Sequence, residues 1–302
     1  MMKNPSSRKG AIGLTEKTNP ASLDMDRASA LKIAAIINRQ DQKVALAVRL
    51  QLKSIARAMV MVQEALEQGG RLFYVGAGTS GRLGVLDAAE CPPTFGVSPQ
   101  KVQGIIAGGK KALWKSVEAA EDNPRAGVEA IRKARVQAKD IVCGISASGK
   151  TPFVRGALAE AGKRKARCIL VTCHPSPPIA PQGGVVINPP IGPEVIAGST
   201  RMKAGTATKM ILNMISTGAM IHLGKVYGNL MVDVRPTSTK LKDRAERIIM
   251  TVLGCSRYRA QKLLQSAKNQ TKVAIVMGAK GCHVREAERL LKQKKGVLRE
   301  VL

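Results

Sequence analysis

The chain has 302 residues, of which 44% are hydrophobic, and its 49 Lys/Arg against 21 Asp/Glu give a net charge of +28. That size predicts roughly two domains, or one large domain with an extension, and no apolar run approaches the ~18–20 residues of a membrane-spanning helix. Six cysteines without a Cys-x-x-Cys and three scattered histidines exclude a familiar metal-ligand spacing and fit a reducing, cytoplasmic setting.

The opening residues, Met1-Met-Lys-Asn-Pro-Ser-Ser-Arg-Lys9, are basic but lack the apolar stretch of a secretory signal. Residues 1–23 read as a flexible tail. Apolar residues at helical spacing predict helices over 24–39 and 44–68, with Asp24 as N-cap and Gly69-Gly70 as the stop. The apolar run 71–75 predicts a buried parallel strand. A short helix is expected over 82–89, with Glu90 just past it and ahead of Cys91-Pro92-Pro93. Strands over 102–107, 140–145, 167–172 and 184–188 alternate with expected helices over 110–121, from Pro124 to Arg135 and over 152–162. A long helix follows residues 198–206 and runs to about Leu223. From Thr239 onward the pattern is helical, apart from the apolar run 273–277. This alternation predicts the α/β class, a doubly wound parallel sheet between helical ends.

The basic excess is denser toward the C-terminus, where residues 240–302 hold sixteen Lys/Arg and five Asp/Glu. Tyr258 is the single aromatic there, so base stacking has almost no platform. The charge is read as attracting anionic substrates rather than nucleic acid.

Three segments carry the chemistry. Gly76-Ala-Gly-Thr-Ser-Gly81 follows the first strand, and its Gly78, Thr79 and Ser80 open a helix; a strand, a Gly/Ser/Thr turn and a helix N-terminus cradle anions. Ser146-Ala-Ser-Gly-Lys-Thr151 follows another strand and offers Ser146, Ser148 and Thr151. Gly198-Ser-Thr-Arg-Met-Lys-Ala-Gly-Thr206 offers Ser199 and Lys203. All three are expected at the C-terminal edge of the sheet, where they suit a phosphate monoester. Neither glycine-rich loop is a Walker A. The first spells Gly-x-Gly-x-x-Gly, but the acid expected about twenty residues on is missing from Phe95-Gly-Val-Ser-Pro99. Glu90, Glu118 and Glu121 lie next to the expected cleft, the last two at i, i+3 on the expected 110–121 helix. A carboxylate among apolar neighbours such as Val117 and Pro92 suits a general acid.

Residues 76–96, Ala119-Ala-Glu-Asp122, Gly144-Ile-Ser-Ala-Ser-Gly-Lys-Thr-Pro152, residues 198–206 and Gly228-Asn-Leu-Met-Val-Asp233 resemble the N-acetylmuramic acid 6-phosphate etherases, of the sugar isomerase (SIS) fold. The resemblance runs from about Thr15 to the end. It implies a three-layer, five-stranded parallel sheet over residues 24–235 with its N-terminal helices, a small C-terminal helical domain over 236–302, and a homodimer. It also implies cleavage of the D-lactyl ether of N-acetylmuramic acid 6-phosphate to N-acetylglucosamine 6-phosphate and D-lactate, without metal or nucleotide. The family's two active-site glutamates fall on Glu90, as proton donor to lactate, and Glu121, as the base at C2. Lys110-Lys111 and the overall charge depart from the family's less basic pattern, while both glutamates and all three loops are present.

Other readings stay open. A phosphosugar-binding regulator of the glucokinase-regulator type would bind without catalysis, although that architecture uses two SIS domains and 302 residues accommodate one. An aldose–ketose isomerase of the same fold could use a glutamate base, but Glu90-Cys-Pro-Pro and Ala120-Glu-Asp122 argue against it. A nucleic-acid-binding protein would show a salt-dependent shift of DNA.

Overall fold

The computed structural model describes residues 14–302 apart from 182, 235 and 237. Five parallel strands form one sheet in the order β2-β1-β3-β4-β5: β1 Leu72–Gly76, β2 Val102–Ile106, β3 Ile141–Ile145, β4 Arg167–Val171 and β5 Val185–Ile187. The winding reverses between β1 and β3, where Gly76 pairs with Ile145. The loops after these two strands therefore leave the sheet side by side, at the position where such folds open a crevice.

The strands are buried on both faces, and their side chains alternate between two cores. Leu72 and Tyr74 face a layer built from α1 Ala30–Arg49, α2 Leu52–Glu67, α3 Gly78–Phe95 and α6 Lys203–His222. Phe73 and Val75 face α4 Pro124–Lys133 and α5 Pro152–Lys163. The result is the expected three-layer sandwich. The helix α3 lies unusually close to the sheet. A Cβ on Gly84 would meet Tyr74 Cβ at 2.7 Å, and one on Gly81 would meet Ile106 Cγ1 at 2.6 Å. A third core gathers α7 Thr239–Leu253, α8 Arg257–Ser266, α9 Thr271–Lys280 and α10 Val284–Gln293, and already includes Val232 and Val234.

Several sequence expectations are corrected. Residues 1–13 of the expected tail lie outside the described residues, but 14–23 are held in place. Asn19 is buried and donates to Gln40 Oε1 at 3.1 Å and to the Pro193 carbonyl at 3.0 Å. The Gly198 N–H donates to the Thr15 carbonyl at 2.8 Å. The first helix begins after Ser29, whose hydroxyl accepts from Lys32 N, and not at Asp24. It runs without a break through Gln40-Asp-Gln-Lys43, because Gln40 turns inward to bond Asn19. The third helix was expected to stop before Glu90; α3 instead runs to Phe95 with Pro92 and Pro93 inside its last turns and ends on Gly96, at φ 65°. Proline ordinarily breaks a helix, but Cys91 and Phe95 bury on the core side and carry the chain past it. The expected 110–121 helix is two 3₁₀ turns, Lys110–Leu113 and Ala120–Asp122, with Ala119 left-handed at φ 57°. Glu118 and Glu121 therefore share no helical face. The apolar run 273–277 lies within α9.

A buried ammonium ties the end of α6 to the third core. Lys272 Nζ donates to the carbonyls of Gly224 (3.0 Å) and Gly296 (2.8 Å) and to Asp233 Oδ2 (2.7 Å), which Lys225 also meets at 3.1 Å. Removing one partner of a buried pair strands the other groups without water. Lys272→Met is expected to destabilise the protein by roughly 3 kcal/mol, read as a lower urea midpoint for the C-terminal helices.

Candidate functional site

The first loop leaves β1 and becomes the first turn of α3, so Gly78, Thr79 and Ser80 occupy a helix N-terminus whose N–H groups have no partner within the helix. Ala77, at the N-cap, provides no side-chain acceptor. The second loop leaves β3 at the same level. Within it Ser146 is buried and its hydroxyl pairs with Thr151 Oγ1 at 2.8 Å, while Gly149 turns at φ 66°. Ser146 thus braces the loop, and half-buried Ser148, whose Oγ accepts from Lys150 N, lies nearer the surface. The third loop reaches the first: Thr79 Cγ2 lies 3.6 Å from where a Cβ on Gly205 would sit, in the first turn of α6. Ser199 is half-buried just ahead of that turn.

Lys203 does not face this cleft. Its residue is 1% exposed, and its ammonium donates to the Ile191 carbonyl at 2.7 Å and to Gln40 Oε1 at 3.4 Å. Burial lowers its pKa, and the Glu194 charge opposes that shift. Glu194 in turn caps α6, accepting from Lys203 N at 2.9 Å and Ala204 N at 2.8 Å. The expectation that Lys203 meets the phosphate is therefore withdrawn, because its charge is spent holding loop and helix in register. The acid Glu194 was missed in the sequence; its only signal was its place nine residues before a helix start.

The two candidate carboxylates are exposed, and they line different grooves. Glu121 lines one of about 280 Å³ with Gly78, Arg82 and Glu118, against the first loop. Arg82 is steadied there by its Nε bond to the Leu113 carbonyl at 3.1 Å. Glu90 lines a second groove of about 310 Å³ between α3 and α6, with Lys209 and Asn213. Twelve residues of α3 separate Gly78 from Glu90, about 18 Å along the axis at 1.5 Å per residue. One chain brings Glu121 beside the N-terminus of α3 and leaves Glu90 toward the far end of the helix.

Beneath Glu90 lies a carboxylate that sequence reasoning missed. Asp87 is 5% exposed and bonded through both oxygens: Tyr74 OH donates to Oδ2 at 2.8 Å, and Asn213 Nδ2 and Ser216 Oγ donate to Oδ1 at 2.6 and 3.1 Å. Burial first, then the Asp87 charge, hold the Tyr74 phenol well above its usual range. Tyr74 therefore stays a proton donor to Asp87. The Cys91 thiol beside it is pushed up to about 12 by burial and by Asp87. Among the described residues no His, Cys, Asp or Glu cluster is arranged to hold a metal, and no helix is long and apolar enough to cross a membrane.

The remaining buried thiols are likewise poor nucleophiles, since burial lifts Cys168 to about 11 and Cys173 to about 12. Iodoacetamide at pH 8 is expected to label the half-buried Cys255 and Cys282 and to spare the other four until the protein unfolds, as read by peptide mass mapping.

Known proteins resemble this chain over nearly all its length. A family model for the glucokinase regulatory protein N-terminal SIS domain matches residues 54–162. An N-acetylmuramic acid 6-phosphate etherase of Yersinia pestis (strain Pestoides F) is 49% identical over 293 residues, covering 97% of this chain and 99% of its own. The protein of the same name in Yersinia pseudotuberculosis serotype O:3 (strain YPIII) matches equally, at 49% over 97% and 99%. Among solved structures, a phosphoheptose isomerase of Neisseria gonorrhoeae aligns at 17% identity and a TM-score of 0.48, covering 62% of this chain and 96% of that one. With close to half its residues shared along the whole length of these relatives, the chain belongs to the N-acetylmuramic acid 6-phosphate etherase family.

Proposed function

We propose that the protein is a carbon–oxygen lyase that converts N-acetylmuramic acid 6-phosphate and water to N-acetylglucosamine 6-phosphate and D-lactate, in the cytoplasm, during reuse of cell-wall sugars. The observation that carries this reading is the 49% identity over 97% of the chain. The regulator alternative rests on a match to residues 54–162 alone.

The chemistry suits two carboxylates. An ether is a poor leaving group, but the ring-opened sugar has an aldehyde at C1. The aldehyde acidifies the C2 proton and places the lactyl ether at the β position. Glu121 removes the C2 proton. The electron pair forms the C2–C3 double bond as the C3–O bond breaks, and Glu90 gives its proton to the departing lactate oxygen. Water then adds at C3 and a proton returns to C2. Each acid or base step is worth typically 10²–10⁴-fold. The phosphate rests on the N-terminus of α3, among Gly78, Thr79 and Ser80, with Ser148, Thr151 and Ser199 beside it and Ser146 bracing its loop.

The phosphorus and the ether oxygen are joined by six single bonds of about 1.5 Å, so they lie under ~9 Å apart. The cradle and Glu90 of one chain are about twice that distance apart along α3. A second copy resolves the mismatch. In the homodimer, Glu90 of one protomer closes over the cradle and Glu121 of its partner.

A D-lactate assay tests both parts. Glu90→Ala and Glu121→Ala are each expected to abolish lactate release. Mixed and re-paired at random, the two variants should recover about a quarter of wild-type activity, because half the dimers hold one intact site. No recovery would mean that the two carboxylates act within one chain. Ser148→Ala should raise KM more than it lowers kcat, since its hydroxyl holds the phosphate equally in ground and transition states; an unchanged KM would move the phosphate elsewhere.

A further inference from the structure

We propose that Lys209 forms a subsite for the lactyl carboxylate of the substrate, in the groove that presents Glu90; the inference rests on the etherase reading above. The groove is built from two helical rows. From α6 come Lys209, Asn213 and Thr217, each one turn after the last. From α3 come Leu86, Glu90 and Thr94, at the same spacing.

The floor of the groove is already negative and already satisfied. Both oxygens of Asp87 are bonded, to Tyr74 on one side and to Asn213 and Ser216 on the other. Three donors already occupy its two oxygens. Lys209 is the one cation among the groove's lining residues. It is exposed and forms no salt bridge among the described residues.

The substrate makes such a cation necessary. A single carbon separates the ether oxygen of the lactyl group from its carboxylate. Any side chain that protonates that oxygen draws the carboxylate into the same groove. There it meets the Asp87 carboxylate beneath the groove, and like charges at such range disfavour binding. The Lys209 ammonium offsets that repulsion and orients the leaving group toward Glu90. The product N-acetylglucosamine 6-phosphate lacks this carboxylate, so the contact distinguishes substrate from sugar product and assists in release once the ether is cut.

The experiment compares wild type, Lys209→Met and Lys209→Arg, measuring KM for N-acetylmuramic acid 6-phosphate and the inhibition constant of N-acetylglucosamine 6-phosphate. Loss of a charged hydrogen bond should raise KM in the Met variant by roughly tenfold to a hundredfold. The inhibition constant should stay within about twofold, which also reports an intact fold, and Arg should restore most of the loss. An unchanged KM, or an equal weakening of both ligands, would overturn the subsite and leave the etherase reading standing. A wild type that releases no lactate would sink the etherase reading, and the subsite with it.

Discussion

The seat of α3 on the sheet constrains everything built around it. Glycine at positions 81 and 84 lets the helix backbone approach side chains of β1 and β2 so closely that even a methyl group would collide. The helix therefore cannot tilt or slide without opening the core. Its N-terminus is fixed at the C-terminal ends of β1 and β3, where the N–H groups point at the crevice. Its other end is fixed just as firmly, with Glu90 outward and Asp87 locked inward to Tyr74. One rigid rod thus carries unpaired N–H groups at one end and Glu90 toward the other, about 18 Å apart. The proposed homodimer brings unlike ends together by pairing two such rods symmetrically.

The helix α6 forms the other wall of the Glu90 groove, and it is pinned at both ends by buried lysines. At its start, Glu194 takes the first two N–H groups and Lys203 ties the preceding loop to Gln40 and Ile191. Past its end, Lys272 takes the Gly224 carbonyl and Asp233 together. Buried ion pairs contribute little net stability, because desolvation offsets the attraction. Their value here is geometric. A charge that cannot leave its buried oxygen partners permits a single register for the helix, and with it a single placement of Lys209 and Asn213 opposite α3.

Strands and the glycine-rich loops between them were legible in the sequence because their signals are local. A buried parallel strand is an apolar run, and a loop that must turn and offer N–H groups is rich in Gly, Ser and Thr. All five strands fall within one or two residues of their expected places. The failures occurred where tertiary contacts override local pattern. Gln40 looked like a break between helices but is an interior hydrogen-bonding group. Pro92 and Pro93 looked like a stop, yet α3 continues. Lys203 looked like a phosphate ligand because it sits in a Ser/Thr/Lys segment; only the fold reveals that Glu194, Gln40 and Ile191 enclose it. The separation of Glu90 from Glu121 was equally invisible. Thirty-one residues apart along the chain says nothing about which grooves they enter.

The charge balance gives the exposed acids their significance. Among the described residues Glu64, Asp140, Glu160, Asp233, Asp243, Glu246 and Glu286 are in salt bridges with Lys or Arg. Arginine hydrogen bonds hold Glu160, Asp243 and Glu286 below the usual carboxylate range. A carboxylate held down in that way stays ionised and cannot donate a proton at neutral pH. Glu90 and Glu121 form no salt bridge among the described residues, in a chain with more than twice as many cations as acids. An unclamped carboxylate can respond to what binds beside it. When an anionic substrate enters, the added negative charge favours the protonated form of a neighbouring acid. The general +28 charge draws a phosphorylated, carboxylated sugar toward the protein over a longer range.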